Sequence, residues 1–266
     1  MVRCGRGMGH GAWGMGMGMG MGMGMGHGMV RWGWGMGCPV GPGGWFFWTS
    51  WRRVHGLGWG GWRRCCEGRA LSFDAMALIQ ETDFVALDFE SAGASRGATD
   101  EPVQVAWAGM RGLVVRPETF FVSYLRSDAP ITWSARKVHG ITSADLDGAP
   151  SLGSLWPQVR GALLGRVLIA HGAGTEKRFL RAFPLHGFGP WVDTVALSRR
   201  FLPSLSDHAL GSVCAALQLT DEVAGLVPDG RWHHALFDAV ASLLVVRRLV
   251  SELKLEHHDV VDLIHW

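Results

Sequence analysis

Long apolar runs are missing from this chain of 266 residues. No uninterrupted apolar stretch approaches the ~20 residues of a membrane-spanning helix, so no membrane partner is expected. No secretory leader is expected either. Arg3 and Arg6 could serve as a basic n-region, but the Gly-Met alternation that follows is not a continuous apolar h-region. Cysteine is scarce beyond residue 75, where Cys214 stands alone. It sits in an apolar pattern with Val213, Ala216 and Leu217, which predicts a reduced core thiol and a reducing, cytoplasmic setting. Acidic residues are nearly absent from the first 75 positions, where Glu67 and Asp74 face eight arginines.

What the chain does contain divides it in two. Residues 1–75 hold 23 of the 39 glycines, 10 of the 12 methionines and 8 of the 14 tryptophans. Strict Met-Gly alternation opposes both helix and strand, because glycine's backbone entropy is lost without packing in return. The tryptophans that follow share no period of 2 or 3.6. This segment is expected to be low-complexity and disordered, or to precede a true start at Met76. Two other readings are chemically open. One is soft-metal binding through thioethers, thiols, His10 and His27. The other is a Trp- and Arg-rich arm that stacks on single-stranded nucleic acid.

Residues 76–266 have ordinary composition and are long enough to bury one sizeable core. They carry 21 acidic and 17 basic residues. An acidic body does not argue for a nucleic-acid coat, but it suits an enzyme that holds cations against phosphate. Strands are expected over 83–89, 102–110 and a third stretch, 113–115 with 119–125, interrupted at Pro117. Short joins make these an antiparallel meander. Helical turns over 134–138 and 143–146 flank His139. Then come a helix over 152–164, a strand over 166–170, a helix over 175–182 and a strand over 191–193. Helices over 195–201, 207–217 and 234–249 complete the pattern. The fold class is therefore α/β, one mixed five-stranded sheet with helices on both faces.

Three acidic clusters carry the chemistry. Asp88 and Glu90 lie two apart on a strand, so both project from one face, at its carboxyl end. Glu176 follows His171-Gly172-Ala173-Gly174-Thr175, where two glycines permit a tight turn and the acid enters the first helical turn. His233 and Asp238 are five apart. That spacing separates them by ~140° on a helix, so the histidine belongs to the entry loop and the aspartate to the first turns. Each cluster alone has a plain explanation: a solvated strand end, a helix-start acid, a polar helix entry. All three in order supply four oxygen ligands for hard cations and one imidazole beside them.

These residues resemble the 3′–5′ exonucleases with an acidic DEDD tetrad and a catalytic histidine, the DEDDh group of polymerase III epsilon subunits and RNase T. The likeness runs over residues 82–250 and does not reach residues 1–75. Asp88-Phe89-Glu90 matches the first motif, and Val138-His139-Gly140-Ile141-Thr142 is a further family-like stretch. His171 to Glu176 stands where the family usually has H-N-A-x-F-D, and Asp193-Thr194 where it has D-T. His233-His234-Ala235-Leu236-Phe237-Asp238-Ala239 matches H-x-A-L-x-D-A. Gly172 replaces the usual Asn. Glu176 replaces the usual Asp, so its longer side chain must fold back to hold the same place.

The resemblance implies a ribonuclease H-like sheet and two Mg²⁺ or Mn²⁺ ions ~4 Å apart that clamp a phosphodiester. It implies that Asp88 bridges the ions, with Glu90 and Asp238 completing one site and Glu176 holding the other. His233 would take a proton from the attacking water, since imidazoles titrate near neutral pH. Phe89, Ser91, His139 and His171 are weaker candidates for substrate contact. The partner would be single-stranded or 3′-ended nucleic acid, DNA or RNA, with a DNA polymerase as a further candidate. The product would be a nucleoside 5′-monophosphate. The rival class is a non-catalytic nucleic-acid-binding protein of the same fold.

Overall fold

A computed structural model describes residues 77–94 and 99–264; the expectations for residues 1–75 and Met76 fall outside the described residues. Five strands form one sheet: β1 (Asp83–Ser91), β2 (Pro102–Arg111), β3 (Val114–Tyr124), β4 (Val167–Ala170) and β5 (Trp191–Asp193), in the order β3-β2-β1-β4-β5. β1, β2 and β3 pair antiparallel, whereas β4 joins β1 in parallel and β5 joins β4 in parallel. This is the expected mixed sheet, a meander followed by βα units.

The expected interruption at Pro117 is corrected. β3 runs unbroken from Val114 to Tyr124, and its register against β2 shifts between Trp107 and Gly109. β3 is an edge strand, so a proline lacking an N–H removes no bond the sheet depends on. Thr119 fills the irregularity, its Oγ1 accepting from the Gly109 N–H at 2.9 Å.

Helices cover both faces. On one lie α2 (Trp156–Leu163) and α3 (Gly174–Leu180), packed with Val85, Leu87 and Phe89 of β1. On the other lie α4 (Thr194–Phe201), α5 (Leu210–Ala216), α6 (Thr220–Leu226), α7 (Ala235–Leu253) and α8 (Val261–Ile264), packed with Phe84 and Ala86. α7 is the spine of that face: Val240, Leu243, Leu244 and Val246 are fully buried. Each such side chain contributes about 1.5–3 kcal/mol of apolar burial. Cys214 is buried among them as a free thiol. The short α1 (Trp133–His139) lies beyond the carboxyl end of β1. No described helix is long and apolar enough to cross a membrane.

Several element ends differ from expectation. The helix expected over 152–164 is a 3₁₀ turn, Leu152–Leu155, followed by α2 with Pro157 in its first turn. The helix expected from 207 begins at Leu210, because the Asp207 carboxylate accepts from the Ala209 N–H (2.9 Å) and holds that backbone extended. α6, α8 and a 3₁₀ turn at Ile79–Glu81 were not foreseen.

Candidate active site

β1 delivers two acids to the face covered by α7. Alternation puts Asp88 and Glu90 with Phe84 and Ala86, opposite Val85, Leu87 and Phe89. Phe89 is 6% exposed and packs on Phe179 of α3 at 5.3 Å between ring centroids. Its ring is therefore core and offers no face to a ligand. The Ser91 carbonyl meets His139 Nε2 at 3.1 Å, while His139 Nδ1 accepts from the Ile141 N–H at 3.0 Å. His139 is 3% exposed, so this imidazole fastens α1 to the end of β1 with both nitrogens engaged.

The third acid comes from the first turn of α7. Asp238 faces back along the entry loop, and its Oδ2 accepts from the His233 N–H at 3.2 Å. His233 takes φ 64, a left-handed conformation that few non-glycine residues adopt, and its ring is exposed. One ligand atom each from Glu90, His233 and Asp238 falls within 4.8 Å of the others. His234, the next residue, turns into the protein and leaves Nδ1 buried without a partner.

Glu176 arrives from the neighbouring strand. β4 ends at Ala170, and the chain turns through Gly172 at φ 80 into α3. Glycine and asparagine adopt such a φ at least cost, so Gly172 keeps a turn that the family's asparagine could also make. Asp193, at the end of β5, clamps this turn. Its Oδ1 accepts from Gly172 N–H (3.0 Å) and Val195 N–H (2.9 Å), and its Oδ2 accepts from Ala173 N–H (3.1 Å). His171 is engaged at both ring nitrogens, with Thr194 Oγ1 and the His208 carbonyl, each at 2.8 Å. Burial holds its pKa below the usual histidine value. The neutral form that fits donates from Nε2–H to His208 and accepts at Nδ1. His171 thus ties the α4–α5 loop to β4, and its ring has no nitrogen left for substrate.

The electrostatics separate these four acids from an ordinary surface cluster. Burial pushes the carboxyl pKa of Glu90, Glu176 and Asp238 up to about 7 in each case. Asp88 is raised as well, first by burial and then by the charges of Asp238, Glu176 and Glu90. No ion pair among the described residues involves any of the four. Arg178, two residues beyond Glu176, is held instead by Asp100 at 2.7 Å. Glu176 is 4% exposed, and its own backbone N–H partly offsets the effect of burial on its carboxyl. Its Oε2 and Asp238 Oδ1 remain buried without any partner. Buried acceptors without donors, in a set of mutually repelling carboxylates, fit divalent cations that prefer oxygen, such as Mg²⁺ or Mn²⁺.

Two positioning residues escaped the sequence reading. Gln104 lies opposite Glu90 on β2 and is 1% exposed. Its Oε1 accepts from the Ala235 N–H at 2.9 Å, satisfying the first turn of α7 and setting where Asp238 falls. The available signal was a lone amide in the apolar run 103–110. Arg231 donates from Nη2 to the His139 carbonyl at 3.0 Å and so joins the His233 loop to α1. Nothing local in the sequence marks that pair, which is 92 residues apart.

Comparison with known proteins follows the same outline. A family model described as exonuclease (RNase T) matches residues 85–246. A DNA polymerase III subunit epsilon-like protein of Rhodobacter capsulatus is 30% identical over 181 residues, covering 66% of this chain and 25% of the relative. DNA polymerase III PolC-type of Thermotoga maritima is 29% identical over 191 residues, covering 70% and 13%. The chain thus spans a quarter or less of the length of these two relatives. Among solved structures, Exonuclease X in complex with 5′-overhanging duplex DNA aligns with TM-score 0.51 and 24% identity, over 66% of this chain and 97% of that one. The nuclease domain of 3′hExo, a DEDDh family member bound to rAMP, aligns with TM-score 0.53 and 18% identity, over 66% and 95%. At these identities the structural likeness speaks for the fold.

Proposed function

The chain belongs to the RNase T exonuclease family, and on that premise we propose that residues 76–266 form a metal-dependent 3′–5′ exonuclease domain acting on single-stranded nucleic acid ends. The observation that carries this reading is the convergence of four carboxylates, none in an ion pair among the described residues, beside the exposed His233. Asp88, Glu90 and Asp238 would hold one Mg²⁺ or Mn²⁺, and Asp88 with Glu176 a second. Such ions, when bound, supply the positive charge that offsets the carboxylates and the phosphate.

The chain's own residues supply the rest. The loop at φ 64 presents His233 to solvent next to Glu90 and Asp238, where it can accept a proton from the attacking water. The water oxygen then bonds to phosphorus and the bond to the upstream 3′-oxygen breaks. That oxygen leaves with a proton from solvent, and the terminal nucleotide departs as a 5′-monophosphate. Relatives named for DNA polymerase III favour DNA as substrate and a DNA polymerase as partner. The buried thiol of Cys214, pushed up to about 12 by burial and by Asp238, is compatible with a reducing cytoplasm.

Matched single- and double-stranded DNA and RNA oligonucleotides test this reading. Shortening from the 3′ end with release of 5′-monophosphates is expected only with Mg²⁺ or Mn²⁺. Activity that persists in EDTA would sink it. A chain beginning at Met76 is expected to cleave as well as the full chain.

A further inference from the structure

α1 is fastened at both ends to the proposed site. At its start the Thr132 side chain accepts from the Ala135 N–H at 3.2 Å, while the Thr132 N–H donates to the Ala92 carbonyl, one residue beyond β1, at 2.8 Å. At its end His139 meets Ser91, and its carbonyl receives Arg231 from the loop that carries His233. Gly140, at φ 77, closes the helix, and an added Cβ there would lie 2.6 Å from Arg231 Nη2. The helix therefore follows the end of β1 and the catalytic loop as one piece.

The outer face of α1 has a composition its folding does not require. Trp133 is 76% exposed, and it joins none of the core clusters. Lys137, one turn on, holds its ammonium 5.2 Å from the indole centroid. The only charges on the helix are basic, Arg136 and Lys137, although it is fastened to the strand that carries Asp88 and Glu90. An exposed indole with an ammonium resting against it, on a helix fastened to a phosphodiester site, matches what a single nucleic-acid strand offers: a base to stack and a phosphate to pair.

We propose that Trp133, with Lys137 beside it, is a stacking platform for a base of the single strand upstream of the bond to be cut. This rests on the nuclease reading above and adds a specificity contact at a position outside the acidic motifs. The test compares the full chain with Trp133→Ala and Trp133→Phe in Mn²⁺, on two substrates. One is a single-stranded oligonucleotide. The other is the p-nitrophenyl ester of thymidine 5′-monophosphate, which has no upstream base. Trp133→Ala is expected to raise KM for the oligonucleotide about tenfold with little change in kcat. Trp133→Phe should recover part of that loss, and hydrolysis of the small ester should stay at the parent rate. An unchanged oligonucleotide KM in Trp133→Ala, with the parent chain cleaving both substrates, overturns the platform alone. A parent chain that cleaves neither overturns the nuclease reading and the platform with it.

Discussion

The two ends of β1 both carry acids, and they are not alike. At the amino end Asp83 is exposed and lies 3.2 Å from Arg111 on β2. A cavity of about 260 Å³ opens there, lined among others by Asp83, Trp107, Arg116 and Arg166. Arg166 is already bound to the Gly161 and Ala162 carbonyls at the end of α2. At the carboxyl end, Asp88 and Glu90 meet Glu176 and Asp238, none of which forms an ion pair among the described residues, and burial raises all four. The first end is a solvated strand terminus where Asp83 pairs with Arg111 and Arg166 is held by carbonyls. The second stores repulsion that folding alone does not need, and that repulsion is what a divalent cation can relieve.

Charge removal at the two ends should break or sharpen this contrast. Glu176→Gln keeps size and hydrogen-bonding shape but removes the charge. It is expected to lower turnover by at least about 10²-fold without lowering Tm at pH 8, and Glu176→Asp should retain part of the activity. Were Glu176 only a helix-start acid, the Gln variant would lose about 0.3–1 kcal/mol of stability and keep its turnover. Rate and melting temperature measured together decide between these.

His233→Ala should lower turnover by about 10²–10⁴-fold while metal binding, read by Mn²⁺ titration, survives. His234→Ala should be far milder, because that ring turns inward. If His234 proves the sensitive one, the assignment of the loop is wrong by one residue. Gln104→Ala leaves the Ala235 N–H buried without an acceptor. A loss of about 1–3 kcal/mol in urea unfolding is expected, with reduced turnover as α7 loses its anchor. Asp83→Asn, by contrast, should change stability by less than about 1 kcal/mol and leave cleavage alone.

The pH dependence of stability is the subtlest contrast. Carboxyls that hold their proton up to about 7 when folded, but ionise near 4 when unfolded, bind more protons in the folded state. Metal-free protein should therefore lose stability as pH rises from about 4 to about 7 and then level off. Mg²⁺ should raise Tm more at pH 8 than at pH 5, because ligands must be ionised to bind it. A metal-free Tm that climbs through this window would contradict the raised values.

The strands and the long helix were legible because their periods are strong: alternation along 83–89, and the broad apolar face of 234–249. Where local signals competed, the sequence reading failed in identifiable ways. Pro117 reads as a break, yet an edge strand tolerates it. Asp207 sits in a helical pattern, yet its side chain caps a turn and delays the helix to Leu210. α6 is a single short segment between α5 and the His233 loop and has little pattern of its own.

The site divides along the same line. The sequence by itself determined the spacing within each acidic cluster, because that depends only on strand and helix periods: two residues for Asp88 and Glu90, a loop-then-helix for His233 and Asp238; the family resemblance joined the clusters into one candidate site. Tertiary structure alone decided what surrounds them. It placed Phe89, His139 and His171 as packing and fastening groups, because a ring's free faces and nitrogens depend on neighbours far along the chain. It brought Gln104 to the start of α7 and Asp193 to the Gly172 turn, contacts 131 and 21 residues apart. And it left the four carboxylates partly desolvated and without an ion pair among the described residues, which no local pattern encodes, since desolvation is a property of the whole packed volume around a charge.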